Sequence, residues 1–316
     1  MASKFIWKGK IKEKKLFEKI IGNEEITSKL EKSISNNRTS HSYMFIGQEG
    51  IGKKIIAKEF AKMLLCLEQE KYCNKCKSCI EFDSNNHPDF SLIEPEEKKI
   101  KIDQIRKIQE KVAERPIISN RKIYIIDEAD TMTKEAQNCL LKTLEEPPQF
   151  VTIILIGTNE NNFLPTIKSR CVILHFRQLK DEEIQKFFFQ EKKEEVSSKL
   201  IEMSQGSIGK ALQLQSKIEL YDIVENIILN LDKVNILDIL KQSEQLYKAK
   251  EDIFGILDYM NTICIKKSKE NIKYINAINK IEDTKQRIKM NSNYDMSIDD
   301  LLFNIWEEVN EKSSWN

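Results

Sequence analysis

Two clusters of residues have the types and spacing to do chemistry. The first is "GQEGIGKK", Gly47 to Lys54. A phosphate loop reads G-x-x-x-x-G-K-[ST]: its backbone N–H groups cradle phosphates, its Lys reaches the β/γ oxygens, and its final hydroxyl holds Mg²⁺. Gly47, Gly52 and Lys53 match, Gly50 lies inside the loop, and Lys54 stands where the hydroxyl belongs. An ammonium held about 4 Å from a divalent ion costs roughly 8 kcal/mol at an effective dielectric near 20, less if the side chain swings away. In either case one Mg²⁺ ligand is missing. Downstream, "IYIIDEAD" ends in Asp127 and Glu128, the residue types that organise Mg²⁺ and activate water beside such loops. The spacing of loop and acids fits neighbouring parallel strands. The second cluster is Cys66, Cys73, Cys76 and Cys79, four of the seven cysteines within one short window. In a cytosolic chain that clustering points to metal, not to crosslinks.

These residues need elements to position them. "SYMFIG" reads as a buried strand feeding the loop, and Lys53 to Leu67 as a helix with Ile55, Ile56, Phe60, Met63 and Leu64 along it. Strand, glycine loop, helix is the context a phosphate loop requires. Before it, Ile26, Leu30 and Ile34 have helical spacing. After the cysteines, "DFSLIE" reads as a strand, "IDQIRKIQEKV" as a helix, "KIYIIDEAD" as a fully buried strand, and "KEAQNCLLKTLEEPP" as a helix stopped by Pro147 and Pro148. "VTIILIG" and "CVILHF" supply two more strands. Strands that are continuous apolar runs, alternating with helices, predict an α/β domain whose parallel sheet is covered on both faces. Strand signals fade after Phe176. From Lys180 the pattern predicts helices ending near Gly206 and Gly209, and from Ile218 onward it is helical throughout. Ser297 is the expected N-cap of a last helix that buries Ile298, Leu301, Leu302, Ile305 and Val309.

Composition bounds the rest. A chain of 316 residues is long enough for two or three domains, and 9 Gly and 6 Pro beside abundant Lys, Glu, Leu and Ile favour helix. Charge is nearly balanced, 51 basic against 50 acidic residues, so no global field draws the protein to DNA or to an anionic membrane. The lack of a membrane-length apolar run and of a signal-peptide apolar core predicts a cytoplasmic protein with no membrane partner.

Taken together, "HSYMFIGQEGIGKK", the cysteine cluster followed by "HPDF", "IYIIDEADTMTKEAQNCLLKTLEEPP" and "TIKSRC" resemble the bacterial clamp-loader ATPases of the AAA+ class, the gamma/tau/delta-prime type, to about Phe176. The resemblance implies an AAA+ P-loop domain with a zinc module over 1–176 (cysteines within 66–79), a helical lid domain over 177–217, and an all-helical oligomerisation collar over 218–316. Cys66, Cys73, Cys76 and Cys79 match the family's zinc module, and four thiolates make a closed, structural Zn²⁺ site. The gap from Cys66 to Cys73 is shorter than the resemblance leads one to expect. His87 in "HPDF" then reads as a structural partner, since four cysteines complete the shell. Arg170 matches the arginine finger, which in this family reaches into the ATP site of a neighbouring subunit, and Thr158 matches the first sensor.

Departures from the motor pattern point to the delta-prime branch. Motors carry Thr where Lys54 stands and Arg at the position of Gly209 in "GSIGKAL", and tau-type motors continue past the collar whereas this sequence stops at Asn316. The resemblance therefore implies a subunit of the DNA polymerase III clamp loader that is a poor or inactive ATPase, with ATP/Mg²⁺ bound weakly or not at all and Glu128 vestigial. It would sit with gamma/tau and delta subunits in a hetero-pentameric ring acting on the sliding clamp and primer-template DNA. The competing readings are an active gamma/tau-type motor, since Lys53, Asp127 and Glu128 remain, and a zinc-containing DNA-binding adaptor, against which the absence of a basic stripe counts.

Overall fold

The structure, a computed structural model, describes residues 17, 20–68, 73–231, 233 and 235–310. It divides into two compact units, Met1–Leu212 and Gln213–Asn316.

The first unit is built on five strands, β1 (Ser42–Ile46), β2 (Phe90–Ile93), β3 (Lys122–Ile126), β4 (Val151–Gly157) and β5 (Val172–His175), in the order β2-β3-β4-β1-β5. Every ladder is parallel. Its helices are α1 (Glu24–Ser35), α2 (Lys53–Leu65), α3 (Lys77–Asp83), α4 (Ile102–Val112), α5 (Lys134–Glu145), α6 (Pro165–Lys168), α7 (Asp181–Phe187), α8 (Ser198–Ser204) and α9 (Ile208–Gln215), the last crossing the boundary between the units. Alternation along the strands sorts the core into two layers. Tyr43, Phe45, Ile123, Ile125, Ile154 and Ile156 pack against Ile26 and Leu30 of α1 and Ile56 and Phe60 of α2. Met44, Ile46, Tyr124, Ile126, Ile153 and Leu155 pack against Ile105 and Ile108 of α4 and Ala136 and Leu140 of α5. Both faces of the central strands are therefore dry, and β1, β3 and β4 are buried at every residue, which is why they are predominantly apolar.

The helix starts have local causes. The Thr133 hydroxyl accepts the Ala136 N–H at 3.2 Å to open α5, and the Gln104 side chain reaches back to the Lys101 N–H at 3.2 Å to open α4.

Four expectations change. Asp127 and the glycine loop do not follow neighbouring strands, because β4 lies between β1 and β3; loop and acid still meet, since parallel strands end at one edge. The sheet is not covered throughout: β2 is only half-buried and β5, an edge strand, leaves Val172 44% exposed. Gly209 terminates nothing; it sits in the first turn of α9. Ser297 is not an N-cap, because the last helix begins at Tyr294 and the Asn293 side chain accepts the Met296 N–H at 3.1 Å.

The second unit consists of α10 (Ile218–Leu229), α11 (Ile236–Tyr247), α12 (Ile253–Ser268), α13 (Tyr274–Lys289) and α14 (Tyr294–Asn310). Val224 and Ile228, Ile256 and Leu257, Ile281, and the five predicted residues of α14 form one core.

Candidate functional site

The carboxyl ends of β1, β3 and β4 bring the predicted phosphate-site residues to one cavity of about 560 Å³, lined by Gly50, Gly52, Lys53, Lys54, Asp127, Glu128 and Thr158 among others. Gly47 begins the loop as β1 ends, its N–H donating to the Gly157 carbonyl at 3.3 Å. Gly50 and Gly52 hold φ of 74° and 94°, the left-handed region that glycine enters without strain. Gly52 then caps α2, so Lys53 and Lys54 open that helix.

Lys53 is 7% exposed, and its ammonium donates to the loop's own carbonyls, Gly47 O at 2.6 Å and Gln48 O at 2.7 Å. Burial lowers its pKa, against the opposing pull of Asp127, Asp130 and Glu49. Lys54 points to the acids: its ammonium lies 2.9 Å from Asp127 Oδ2 and also contacts Glu94 Oε1. Burial works against that charge, but the two carboxylates together hold its pKa above the ordinary value. Glu128 is exposed at φ 48°, and its pKa is raised by partial burial and by the nearby charges of Asp127, Glu49 and Asp130.

Thr158 is fixed by an acid that sequence reasoning passed over. Asp130 Oδ2 accepts the Thr158 hydroxyl at 2.7 Å and the N–H groups of Thr158 and Asn159 at 3.1 Å. A second tie comes from α9. The Gly209 N–H donates to Gly50 O at 2.9 Å and the Ser207 hydroxyl to Glu49 O at 2.9 Å. A Cβ on Gly209 would lie 2.8 Å from Gly50 Cα, so the loop and the start of α9 approach as closely as two glycines permit.

Arg170 is elsewhere. It follows α6 and leads into β5, is not among the residues lining the cavity, and pairs with Glu145 at 2.8 Å while donating to Thr166 O at 2.8 Å. Glu145 ends α5 in the "LLKTLEEPP" stretch, which is thereby tied to the "SRC" triplet.

The four cysteines converge. Their sulfurs all lie within 4.8 Å of one another, with Cys66 to Cys73 at 3.8 Å and Cys66 to Cys76 at 4.0 Å. Thiolates about 2.3 Å from a tetrahedral Zn²⁺ lie about 3.8 Å apart, so the donor set fits that ion. Residues 69–72 of the short first spacing lie outside the described residues, but Cys66 itself reaches the cluster. Burial raises Cys66 and lifts Cys79 to about 12; for Cys76 burial also pushes upward, yet N–H donors from Cys79 and Leu67 bring it down to about 6. A dication would reverse the resistance of Cys66 and Cys79 to ionisation, since coordinated thiols are deprotonated.

His87 stands behind the cluster, not in it. Ser78 donates its hydroxyl to Leu65 O at 2.7 Å, so His87 Nε2, 2.8 Å away, must donate to Ser78, and Nδ1 accepts the Asp89 N–H at 3.0 Å. Burial depresses its pKa accordingly. Asp89 in turn accepts three N–H groups from Ile117, Ile118 and Ser119. "HPDF" is thus a polar staple joining α3 to β2.

A five-stranded parallel sheet with a glycine loop after its β1, an acid after β3 and a polar sensor position after β4 defines an AAA+ P-loop fold. The gamma subunit-related DNA polymerase III protein of Thermotoga maritima has a similar fold, with a TM-score of 0.50 over 88% of this chain and 99% of that one at 18% identity. The family model for the DNA polymerase III delta subunit matches residues 22–180, about half of the sequence, and the chain belongs to that family. It is 36% identical over 188 residues to DNA polymerase III subunit delta' of Bacillus subtilis, covering 59% of this chain and 57% of that protein. It is also 32% identical over 209 residues to subunit tau/gamma of Haemophilus influenzae, covering 63% of this chain and 30% of that protein. The match thus spans little more than half of the first relative and under a third of the second. Among the described residues no helix is long and apolar enough to cross a membrane.

Proposed function

We propose that the chain is a delta-prime-type subunit of a DNA polymerase III clamp loader, one that supplies Arg170 to a neighbouring ATPase subunit and turns over little or no ATP itself. The observation that carries this reading is Lys54. The residue that would share Mg²⁺ with Asp127 is instead an ammonium bound to Asp127, so the chain's own loop lacks the means to organise a metal-bound triphosphate. Arg170 complements it: an arginine outside its own cavity, held by Glu145 and the Thr166 carbonyl, would serve another chain by exchanging these partners for a phosphate. Its guanidinium would stabilise the charge of a phosphoryl transition state, an effect worth about 10³ to 10⁵ in rate. On this reading residues 177–217 act as the lid, 218–316 as the collar, and Cys66, Cys73, Cys76 and Cys79 hold a structural Zn²⁺. The working assembly is a cytoplasmic hetero-pentameric ring with gamma/tau and delta subunits, and the ring as a whole meets the sliding clamp and primer-template DNA.

The active-motor reading rests on a specific observation, the gathering of Lys53, Asp127, Glu128 and Thr158 round one cavity. Hydrolysis in a reconstituted loader separates the two. For a delta-prime-type subunit, Arg170→Ala abolishes stimulation of the partner motor and Lys53→Ala leaves it; a motor loses its own hydrolysis with Lys53→Ala.

A further inference from the structure

The Mg²⁺ that an AAA+ fold implies does not fit this loop, and the misfit has a definite form. Two carboxylates, Asp127 on the turn after β3 and Glu94 after β2, converge at the start of α2 as they would around a cation, and the cation between them is the Lys54 ammonium. The rest of the site keeps what a nucleotide needs. Gly50 and Gly52 shape an N–H cradle at the start of a thirteen-residue helix, Lys53 is buried beneath it, and Ile20, Ile21, Phe187 and Leu212 give the same cavity an apolar wall of the kind a purine face packs on.

We propose that Lys54 is a tethered replacement for the divalent ion, so that the loop takes a purine nucleoside polyphosphate in its metal-free form and excludes the Mg²⁺ complex. A metal-free polyphosphate brings more negative charge than its Mg²⁺ complex. Lys53, released from the Gly47 and Gln48 carbonyls, and Lys54, kept between Asp127 and the phosphates, balance it. The Mg²⁺ complex instead brings a second cation to an occupied position, and like charges repel there. Such a site binds without hydrolysing, because no metal links Asp127 to the terminal phosphate. This inference extends the reading of the chain as a non-hydrolysing subunit, but it concerns the chain's own loop and does not depend on Arg170.

The test is calorimetric binding of ATP to the full-length, zinc-loaded chain, once in magnesium-free buffer and once with Mg²⁺ in excess over ATP. Wild type should bind with an affinity at least about tenfold higher without Mg²⁺, and adding Mg²⁺ to the preformed complex should release the nucleotide. K54T, which restores the missing hydroxyl, should reverse the preference. The wild-type comparison stands by itself if K54T folds poorly, which a thermal melt would reveal. Binding by wild type that requires Mg²⁺, an identical Mg²⁺ response in wild type and K54T, or no binding by the folded wild type in either buffer overturns the proposal. None of these outcomes alters whether Arg170→Ala silences a partner motor, so the two readings fail separately.

Discussion

At the scale of single residues, the site is a set of substitutions within a familiar pattern, each with a structural consequence. Lys54 is legible in the sequence as the wrong residue for Mg²⁺; that its ammonium closes onto Asp127 and Glu94 is not, because Glu94 lies 40 positions away and reaches the loop only through the placement of β2. Asp130 is equally hidden. It stands in the "IDEAD" stretch, but nothing in that stretch says its carboxylate, rather than Asp127 or Glu128, will hold Thr158. Gly209 is visible as a missing arginine, whereas the structure adds a steric reason for glycine. Gly209→Ala puts a methyl 2.8 Å from backbone that cannot rotate away, so α9 and the loop must part. The expected cost is about 1–3 kcal/mol, typical of overpacking, read as a lower denaturant midpoint for the first unit. An unchanged midpoint would mean the contact yields freely.

Elements show a different balance between what sequence reveals and what it hides. Strand and helix extents are legible because each carries its own period: "IDQIRKIQEKV" is α4 from end to end, and Ile105, Ile108 and Val112 are its buried face. Strand order is not, since the insertion of β4 between β1 and β3 depends on crossovers and leaves no mark within either strand. The last helix shows the limit on boundaries. Ser297 has the chemistry of a cap, but Asn293 has it too and lies one turn earlier, so the helix starts there. The cysteine cluster acts at this scale as well. The seven-residue α3 is held at its N-terminal end, where Cys76 and Cys79 join the cysteine cluster and Ser78 bonds His87. Cys76→Ser should therefore lower bound zinc from about one ion per chain to almost none and reduce the melting temperature. Elemental analysis and calorimetry check both, and retention of zinc with three thiolates would argue against a four-sulfur shell.

For the whole molecule, the division into two units matters most. The second unit closes its own core, from Val224 to Val309, so a fragment covering 213–316 should give a helical circular dichroism spectrum and a cooperative melt. A non-cooperative melt would show that this core needs the rest of the chain. The same unit leaves Ile272, Met290 and Met296 exposed. Sequence conveys the helical character of this region, but does not separate an exposed apolar residue such as Met296 from core residues of the same type, because both are apolar positions on helices.

If Arg170 works in another chain's site, the decisive quantity is single-turnover ATP hydrolysis by the motor subunit in the reconstituted loader, with wild type or Arg170→Ala at matched assembly. A fall of about 10³-fold or more with Arg170→Ala is expected, in the range for loss of an arginine finger. Equal rates in equally assembled complexes would rule out that role and leave Arg170 a surface charge paired with Glu145.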